Sequence, residues 1–199
     1  MKSIYIYGAS GHGLVVADIA IACGYEDIIF VDDGENEYPA FEDIKEDGSI
    51  PIAFGIGGNK IRAKLFKRVY DSGFEIVSLI HPSSIISSSS IIGQGTVVMP
   101  NVVVNAKAVI GDGVILNSGC IVEHECVVDD FVHISPNAAL AGDVKVGRYS
   151  HIGIGSNVIQ GIVIGHNTIV GASSTVVNNI NNFKKAYGSP CREIEDIDE

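Results

Sequence analysis

A parallel β-helix of six-residue sides, preceded by a small α/β unit, is the architecture that this 199-residue chain predicts. Three observations carry it. Every sixth residue from Ile86 is aliphatic: Ile86, Ile92, Val98, Val104, Ile110, Leu116, Val122, Val128, Ile134, Leu140, Val146, Ile152, Val158, Ile164, Val170 and Val176. Positions four residues further on are mostly small or β-branched, as at Ser90, Thr96, Val102, Ala108, Val114, Cys120, Cys126, Val132 and Ala138. Before the repeat, the apolar pattern instead alternates short strands with helices. Ile, Leu and Val supply 58 of the 199 residues. At that frequency an unbroken run in a preset frame arises by chance on the order of once in a hundred million or less.

Residues 1–81 read as the α/β unit. Residues 4–7 form a strand, Gly8-Ala9-Ser10-Gly11-His12-Gly13 a glycine-rich turn, and residues 14–23 an apolar helix. A second strand over 28–31 ends at Asp32-Asp33, and a third covers 51–56. Asn59 caps a helix running to about residue 70, with Ile61, Leu65 and Val69 on one face. Residues 76–80 supply a fourth strand, and His81-Pro82 marks the exit. The glycine turn aims backbone N–H groups and a helix N-terminus at whatever lies above the strand ends, which makes an anion site. The acidic pair about 20 residues on is placed to accept hydrogen bonds from a ribose or base. The spacing is not G-x-G-x-x-G, so a plain strand-to-helix turn is the alternative. Lys60, Arg62, Lys64, Lys67 and Arg68 read either as a solvated helix face or as phosphate contacts.

Residues 82–180 read as the β-helix. Each hexapeptide makes one flat side, three sides make a triangular coil, and coils stack about 4.8 Å apart. The repeat gives a little over five coils, with glycine at the turn one residue after the aliphatic position, as at Gly93, Gly111, Gly147, Gly153, Gly165 and Gly171. Residues 18 apart lie above one another. His124 therefore stacks between Ala106 and Gly142, and His133 against His151. Cys120 and Cys126 fall in the small inward column and read as packing residues. Residues 181–199 form a C-terminal segment with an acidic tail.

The charge balance narrows the partners. A formal net charge of −11 argues against nucleic acid or an anionic membrane surface. Ten acids lie between Glu26 and Asp47 and five more between Glu193 and Glu199, which leaves the middle of the chain nearly uncharged. Four cysteines without a CxxC pair suit a reduced, cytoplasmic protein. The chain opens on an apolar strand without a basic leader, so no signal peptide is expected. Residues 76–106 lack Lys, Arg, Asp and Glu, but Ser, Asn, Gln and Pro interrupt them too often for about 20 continuous apolar residues. A soluble protein is expected.

In that nearly uncharged wall stands Glu123-His124-Glu125, with Asp129 and Asp130 close behind. A histidine flanked by carboxylates suits general-base work on an attacking amine or hydroxyl. Spacing alone leaves open which of Glu123 and Glu125 orients the ring. Gly142, directly above, offers a backbone N–H to a developing oxyanion. The alternative is an exposed polar corner. For His133 and His151 a surface column and a ligand contact are both open, and His166 reads as structural or solvated.

On these residues the whole chain resembles the bacterial sugar-nucleotide N-acetyltransferases of the left-handed β-helix superfamily, in particular the UDP-4-amino-sugar acetyltransferases that make UDP-N,N'-diacetylbacillosamine. The matching segments are IYIYGASGHGLV, Asp32-Asp33, IGGNKIRAK, IVEHECVVDDFVHIS and the closing YGSPCREI, in which Cys191 stands where Ala is usual. The resemblance implies a nucleotide-sugar site at Ser10, Gly11, His12, Asp32, Asp33 and Gly57, with Asn117 lining the acceptor site. It implies His124 as general base and Glu125 as the group that increases its basicity. His133, Gly142, Ile154 and Gly171 would contact acetyl-CoA in the groove between subunits of a homotrimer, with no metal. Lys107, Lys145, Arg148, Lys184, Lys185 and Arg192 are the cations available to the coenzyme A phosphates. O-acetylation on the same scaffold is the rival activity, and a non-catalytic nucleotide-sugar-binding subunit is a further one. A zinc hydratase needs converging histidines, and His124, His133 and His151 lack the close pair.

Overall fold

The computed structural model describes residues 2–45 and 47–197. Met1, Glu46 of the acidic stretch, and Asp198 and Glu199 of the acidic tail lie outside the described residues. The first unit is a three-stranded parallel sheet, ordered β2-β1-β3, from β1 (Ser3–Tyr7), β2 (Asp27–Val31) and β3 (Ile52–Phe54). Helix α1 (Gly11–Ala22) follows β1, α2 (Phe41–Ile44) lies between β2 and β3, and α3 (Asn59–Asp71) follows β3. β1 pairs on both sides and is buried from Ile4 to Tyr7, hence its continuous apolar run.

Three expectations for this unit are corrected. Ile76 makes only an isolated bridge to Ile52, while β4 (Leu79–Ile80) pairs with Val97–Val98 and begins the solenoid. Gly58, not Asn59, caps α3, and Asn59 reaches across to the solenoid instead. The buried face of α3 is Arg62, Phe66 and Val69, whereas Ile61 is 60% exposed. The helix is rotated because it packs against the solenoid as well as the sheet: the Phe66 ring meets Phe131 edge-on at 5.4 Å. The basic run is therefore not one solvated face, since Arg62 is buried and Arg68 is ion-paired to Asp33 and Glu42.

From β4 to β20 (Thr175–Val176), seventeen two-residue strands form three parallel sheets. The first face carries Leu79, Val97, Ile115, His133, His151 and Ile169 outward; the second carries Ile121, Ala139 and Asn157; the third carries Val109, Val127 and Lys145. With β4 counted, the solenoid approaches six coils rather than five. Inside, Val104 through Ile152 of the aliphatic column are each at most 1% exposed. Burying each such side chain contributes about 1.5–3 kcal/mol. Cys120 and Cys126 are free thiols packed in this core, as their column predicts.

Glycine one residue after the aliphatic position serves stacking rather than turning. A β-carbon on Gly147 would lie 2.6 Å from the His166 nitrogen of the next coil. The turn itself sits two residues further on. Every sixth residue from Gly95 to Ser173 has φ between 52° and 71°, and most of these residues, including Lys107, Glu125 and Tyr149, are not glycine.

Helix α1 covers the start of the first face, with Val16, Ile19 and Ala20 against Leu79, Val97 and Ile115. At the far end β21 (Lys184–Gly188) and β22 (Cys191–Asp196) close that face as an antiparallel hairpin, and Cys191 joins the solenoid core. Among the described residues, no helix is long and apolar enough to cross a membrane.

Candidate active site

The corner between the second and third faces carries His124, and its geometry follows from the six-residue period. Val122 and Cys126 point inward and fix the corner between them. Glu125 takes the left-handed turn position with φ 62°, so its side chain folds back beside its neighbour. Its Oε2 lies 3.2 Å from His124 Nδ1, while Lys107, one coil below, approaches the other oxygen at 3.9 Å. Glu123 instead accepts the His124 backbone N–H at 3.3 Å. With Nδ1–H donated to a carboxylate, Nε2 keeps its lone pair for a proton. Gly142 lies flat against the ring; a β-carbon there would stand 2.6 Å from Nε2. Among the described residues no acceptor meets the Gly142 N–H.

Shallow grooves flank this corner. One of about 390 Å³ runs over the second face past Ile121, Glu123, Ala139 and Asn157. Another of about 290 Å³ crosses the third face beside Val127, Lys145 and His166. Lys145 puts a cation in the second groove, which suits a phosphate-bearing chain. His166 itself is held by Asn167 and stacks edge-on against Phe183 at 4.7 Å, a structural role.

The glycine turn opens a second site. Gly8 has φ 112°, and a β-carbon on Gly55 would come within 2.6 Å of both the Gly13 Cα and the Gly8 carbonyl oxygen. Only glycines allow β1, β3 and α1 to approach so closely. Ser10 caps α1 without spending its hydroxyl, and Gly11 faces open space, so the first helical N–H groups are free for an anion. Asp32 accepts from the Ala9 N–H at 2.8 Å and from Gly34, which hold its carboxyl below the usual range. Asp33 is engaged by Tyr7, Arg68 and the Phe41 N–H. Both aspartates line a cavity of about 230 Å³ with Tyr7, Gly8, Ile56 and Leu65.

Between turn and solenoid lies a seam of imidazoles. His133 and His151 stack at 4.6 Å, 8° from parallel, and His12 meets His133 at 6.4 Å. Asn117 Nδ2 lies 3.1 Å from His133 Nε2, and Ser135 Oγ lies 2.6 Å from His151 Nε2. Burial above all, then His151 and Arg62, brings His133 down to about 3; burial and then Arg62 bring His12 to about 4. These rings are neutral. His12 Nε2 is buried with no partner among the described residues.

The expected site residues thus fall into three groups. Asp32 and Asp33 line the N-terminal cavity, Ser10, Gly11 and His12 open α1 just after its lining residue Gly8, Gly57 follows its lining residue Ile56, and Asn117 and His133 adjoin through His12. His124, Glu125 and Gly142 share the opposite edge of the solenoid. Ile154, 52% exposed, and Gly171, against Tyr187, lie on the edge between the first and second faces. Arg62, which the sequence places in a run of solvated or phosphate-contacting cations, is buried. Its spacing to Phe66 and Val69 is that of a buried stripe, a signal masked by the charges around it.

The PglD N-terminal domain model matches residues 3–69, and the bacterial transferase hexapeptide model, of six repeats, matches residues 89–124. The acetyltransferase domain of PglB from Neisseria gonorrhoeae FA1090 is 36% identical, with 98% of this chain and 100% of that chain covered and a TM-score of 0.91. The chain belongs to the hexapeptide-repeat sugar N-acetyltransferases. The PglB domain has also been solved in complex with acetyl coenzyme A. A histidine-to-alanine variant of GDP-perosamine N-acetyltransferase from Caulobacter crescentus, in complex with CoA and GDP-perosamine, is 34% identical, covering 98% of this chain and 97% of that one with a TM-score of 0.93. UDP-N-acetylbacillosamine N-acetyltransferase of Bacillus subtilis (strain 168) is 35% identical over 114 residues, 50% of this chain and 52% of the relative. The match spans about half the length of this curated relative. Within the sugar N-acetyltransferase family, this chain pairs the glycine-rich turn of its first unit with a histidine corner on its solenoid. Among the described residues, no cluster of three His, Cys, Asp or Glu side chains is arranged to hold a metal ion.

Proposed function

We propose that the chain transfers an acetyl group from acetyl-CoA to the 4-amino group of a UDP-linked amino-dideoxy sugar. The observation that carries this reading is His124: its Nδ1 faces Glu125, and its Nε2 lies against Gly142, whose N–H meets no acceptor among the described residues. The N-terminal cavity, with free N–H groups and two aspartates, supports a nucleotide-sugar acceptor. The relatives that bind GDP-perosamine or carry the bacillosamine name support an amino sugar.

In this reading His124 Nε2 takes the proton of the attacking amine as its lone pair bonds to the thioester carbonyl carbon. The carbonyl oxygen gathers charge beside the Gly142 N–H, which stabilises it. The carbon–sulfur bond then breaks, the electron pair leaves with the coenzyme A sulfur, and His124 returns its proton there. An amide and a free thiol result. Glu125 holds the imidazole in the tautomer that presents Nε2.

The working unit we propose is a homotrimer. His124 sits on the edge opposite the first face, which the N-terminal unit covers, so a sugar held by one subunit reaches the His124 corner of a neighbour. His133, Ile154 and Gly171 then meet acetyl-CoA from the other side of that groove. Four unpaired cysteines suit a cytoplasmic location.

The test is thiol release from acetyl-CoA with UDP-, GDP- and dTDP-linked 4-amino sugars, with hydroxyl analogues alongside. Release with a UDP-4-amino sugar and loss of roughly 10²–10⁴ in kcat for His124→Ala are expected. Turnover with hydroxyl acceptors alone would replace N-acetylation by O-acetylation. Wild-type kcat in the variant would remove His124 from the chemistry.

A further inference from the structure

Behind the loop that joins β3 to α3 sits a buried cation that plays no part in the acetyl transfer above. Arg62 is 1% exposed and heads the fully buried side chains by volume. Among the described residues it meets no carboxylate. Its Nε donates to the Gly113 carbonyl at 2.6 Å, its Nη1 to the Ile56 and Gly57 carbonyls at 2.9 and 3.0 Å, and its Nη2 to Asn59 Oδ1 at 2.9 Å and the Phe131 carbonyl at 3.1 Å. Asn59 passes the connection on, donating to the Tyr149 and Ser150 carbonyls at 3.0 and 3.1 Å. Gly113, Phe131 and Tyr149 are turn residues of three successive coils. Arg62 and Asn59 therefore pin residues 56–58 to one edge of the solenoid.

Stability does not call for this arrangement. A buried ionic group is often matched or bettered by a well-packed apolar side chain of similar volume. Burial lowers the guanidinium to about 9, which leaves it a cation at neutral pH that must be solvated by carbonyls alone. An apolar side chain, however, cannot orient peptides. A trans peptide plane points its C=O and N–H in opposite directions. Drawing the Ile56 and Gly57 carbonyls toward the solenoid turns the N–H groups of Gly57 and Gly58 the other way. Both glycines are exposed, and no acceptor meets either N–H among the described residues. Ile56 lines the N-terminal cavity together with Asp32, and no atom lies within 4 Å of a β-carbon built on Gly57.

We propose that Arg62 is a positioning residue for phosphate recognition: by holding the Ile56 and Gly57 carbonyls against the solenoid, it presents the Gly57 and Gly58 N–H groups to the diphosphate of the nucleotide sugar. The inference rests on the nucleotide-sugar reading of the cavity. It assigns two partners to the diphosphate, the glycine turn after β1 on one side and the loop before α3 on the other. It also explains why the anchor is a forked cation, since one planar group reaches both loop carbonyls and the solenoid at once.

The test uses the full chain with Arg62→Met and Arg62→Lys. Calorimetry measures binding of UDP, GDP and dTDP, and of uridine, guanosine and thymidine as phosphate-free probes. Arg62→Met is expected to weaken the preferred diphosphate, and to raise KM for the nucleotide sugar, by roughly 10–100-fold. Nucleoside affinity, KM for acetyl-CoA and kcat at saturation should stay within about twofold. Arg62→Lys keeps the charge but lacks the fork, and should remain close to Arg62→Met. Unchanged diphosphate affinity, or equal loss for nucleoside and diphosphate, overturns the proposal. If Arg62→Met lacks a cooperative melt, Asn59→Ala takes its place, with a selective loss of roughly 3–10-fold expected and no loss counting against the proposal. Wild-type protein that binds diphosphates through Arg62 but releases no thiol with any amino-sugar nucleotide would sink the transferase reading and spare this one.

Discussion

Gly142 lies so close above the His124 imidazole that a β-carbon at position 142 would stand 2.5 Å from Cε1. The ring stacks on the glycine one coil away, and its side chain is otherwise 59% exposed. Gly142→Ala should therefore leave the solenoid folded, since the position adjoins an exposed side chain, but push the imidazole out of line. A displacement near 1 Å can cost about 10²-fold in rate. We expect kcat to fall by roughly 10–100-fold with KM for the nucleotide sugar little changed. Equal turnover in variant and wild type would show that this contact does not set the ring's position.

Glu125 and Glu123 flank the same histidine, yet only Glu125 reaches the ring; Glu123 turns back to the His124 backbone N–H. The left-handed turn at Glu125 is the reason, because it aims that side chain along the corner rather than away from it. Glu125→Gln should reduce kcat by roughly tenfold or more, whereas Glu123→Gln should stay within about threefold of wild type. Steady-state kinetics on the two variants decides the matter. Equal losses would mean that the two carboxylates act together.

The imidazole seam makes stability depend on pH. His12 and His133 lie near 4 and 3 in the folded chain, chiefly because burial disfavours their charged forms, against about 6.5 when unfolded. Below pH 6.5 the unfolded chain binds protons at these positions that the folded chain does not, so acidification favours unfolding down to about pH 4. Arg62, in the same seam, adds to the cost of protonation. Carboxylates such as Asp32 and Asp33, already lowered from 3.8, lose their contribution only below that window. Melting temperature should drop between pH 7 and pH 5 in wild type, and drop less in His133→Gln. A flat profile, or an unchanged slope in the variant, would remove the seam as the cause.

Much of this was legible in the sequence because a six-residue period is a statement about stacking. It placed Gly142 over His124 and His151 over His133 with no further information, and it put Cys120 and Cys126 inside. What it concealed depends on contacts distant in sequence. Arg62 sits in a run of surface-type cations, and only its packing between α3 and the solenoid shows that it is buried. Asn59 looked like a helix cap because caps are local; its partners, Tyr149 and Ser150, lie some 90 residues away. Which glutamate meets His124 turned on the backbone at Glu125, and a left-handed glutamate has no compositional signature.

That left-handed column yields a last prediction. Ser173 holds φ 55° on an exposed turn, where a side chain gains no packing in return for the strain. Left-handed backbone costs an L-residue roughly 1–2 kcal/mol, and glycine is free of that penalty. Ser173→Gly should therefore be neutral or mildly stabilising, despite the extra freedom glycine gains when unfolded. Ser173→Val should be destabilising by roughly 1 kcal/mol or more, because a β-branched residue tolerates positive φ worst. Gly155, one coil below, already carries the favoured residue, so Gly155→Val should cost at least as much. Chemical denaturation of the three variants checks the order. If Ser173→Val matches wild type, the turn relaxes out of the left-handed region, and the column is less rigid than its six-residue regularity implies.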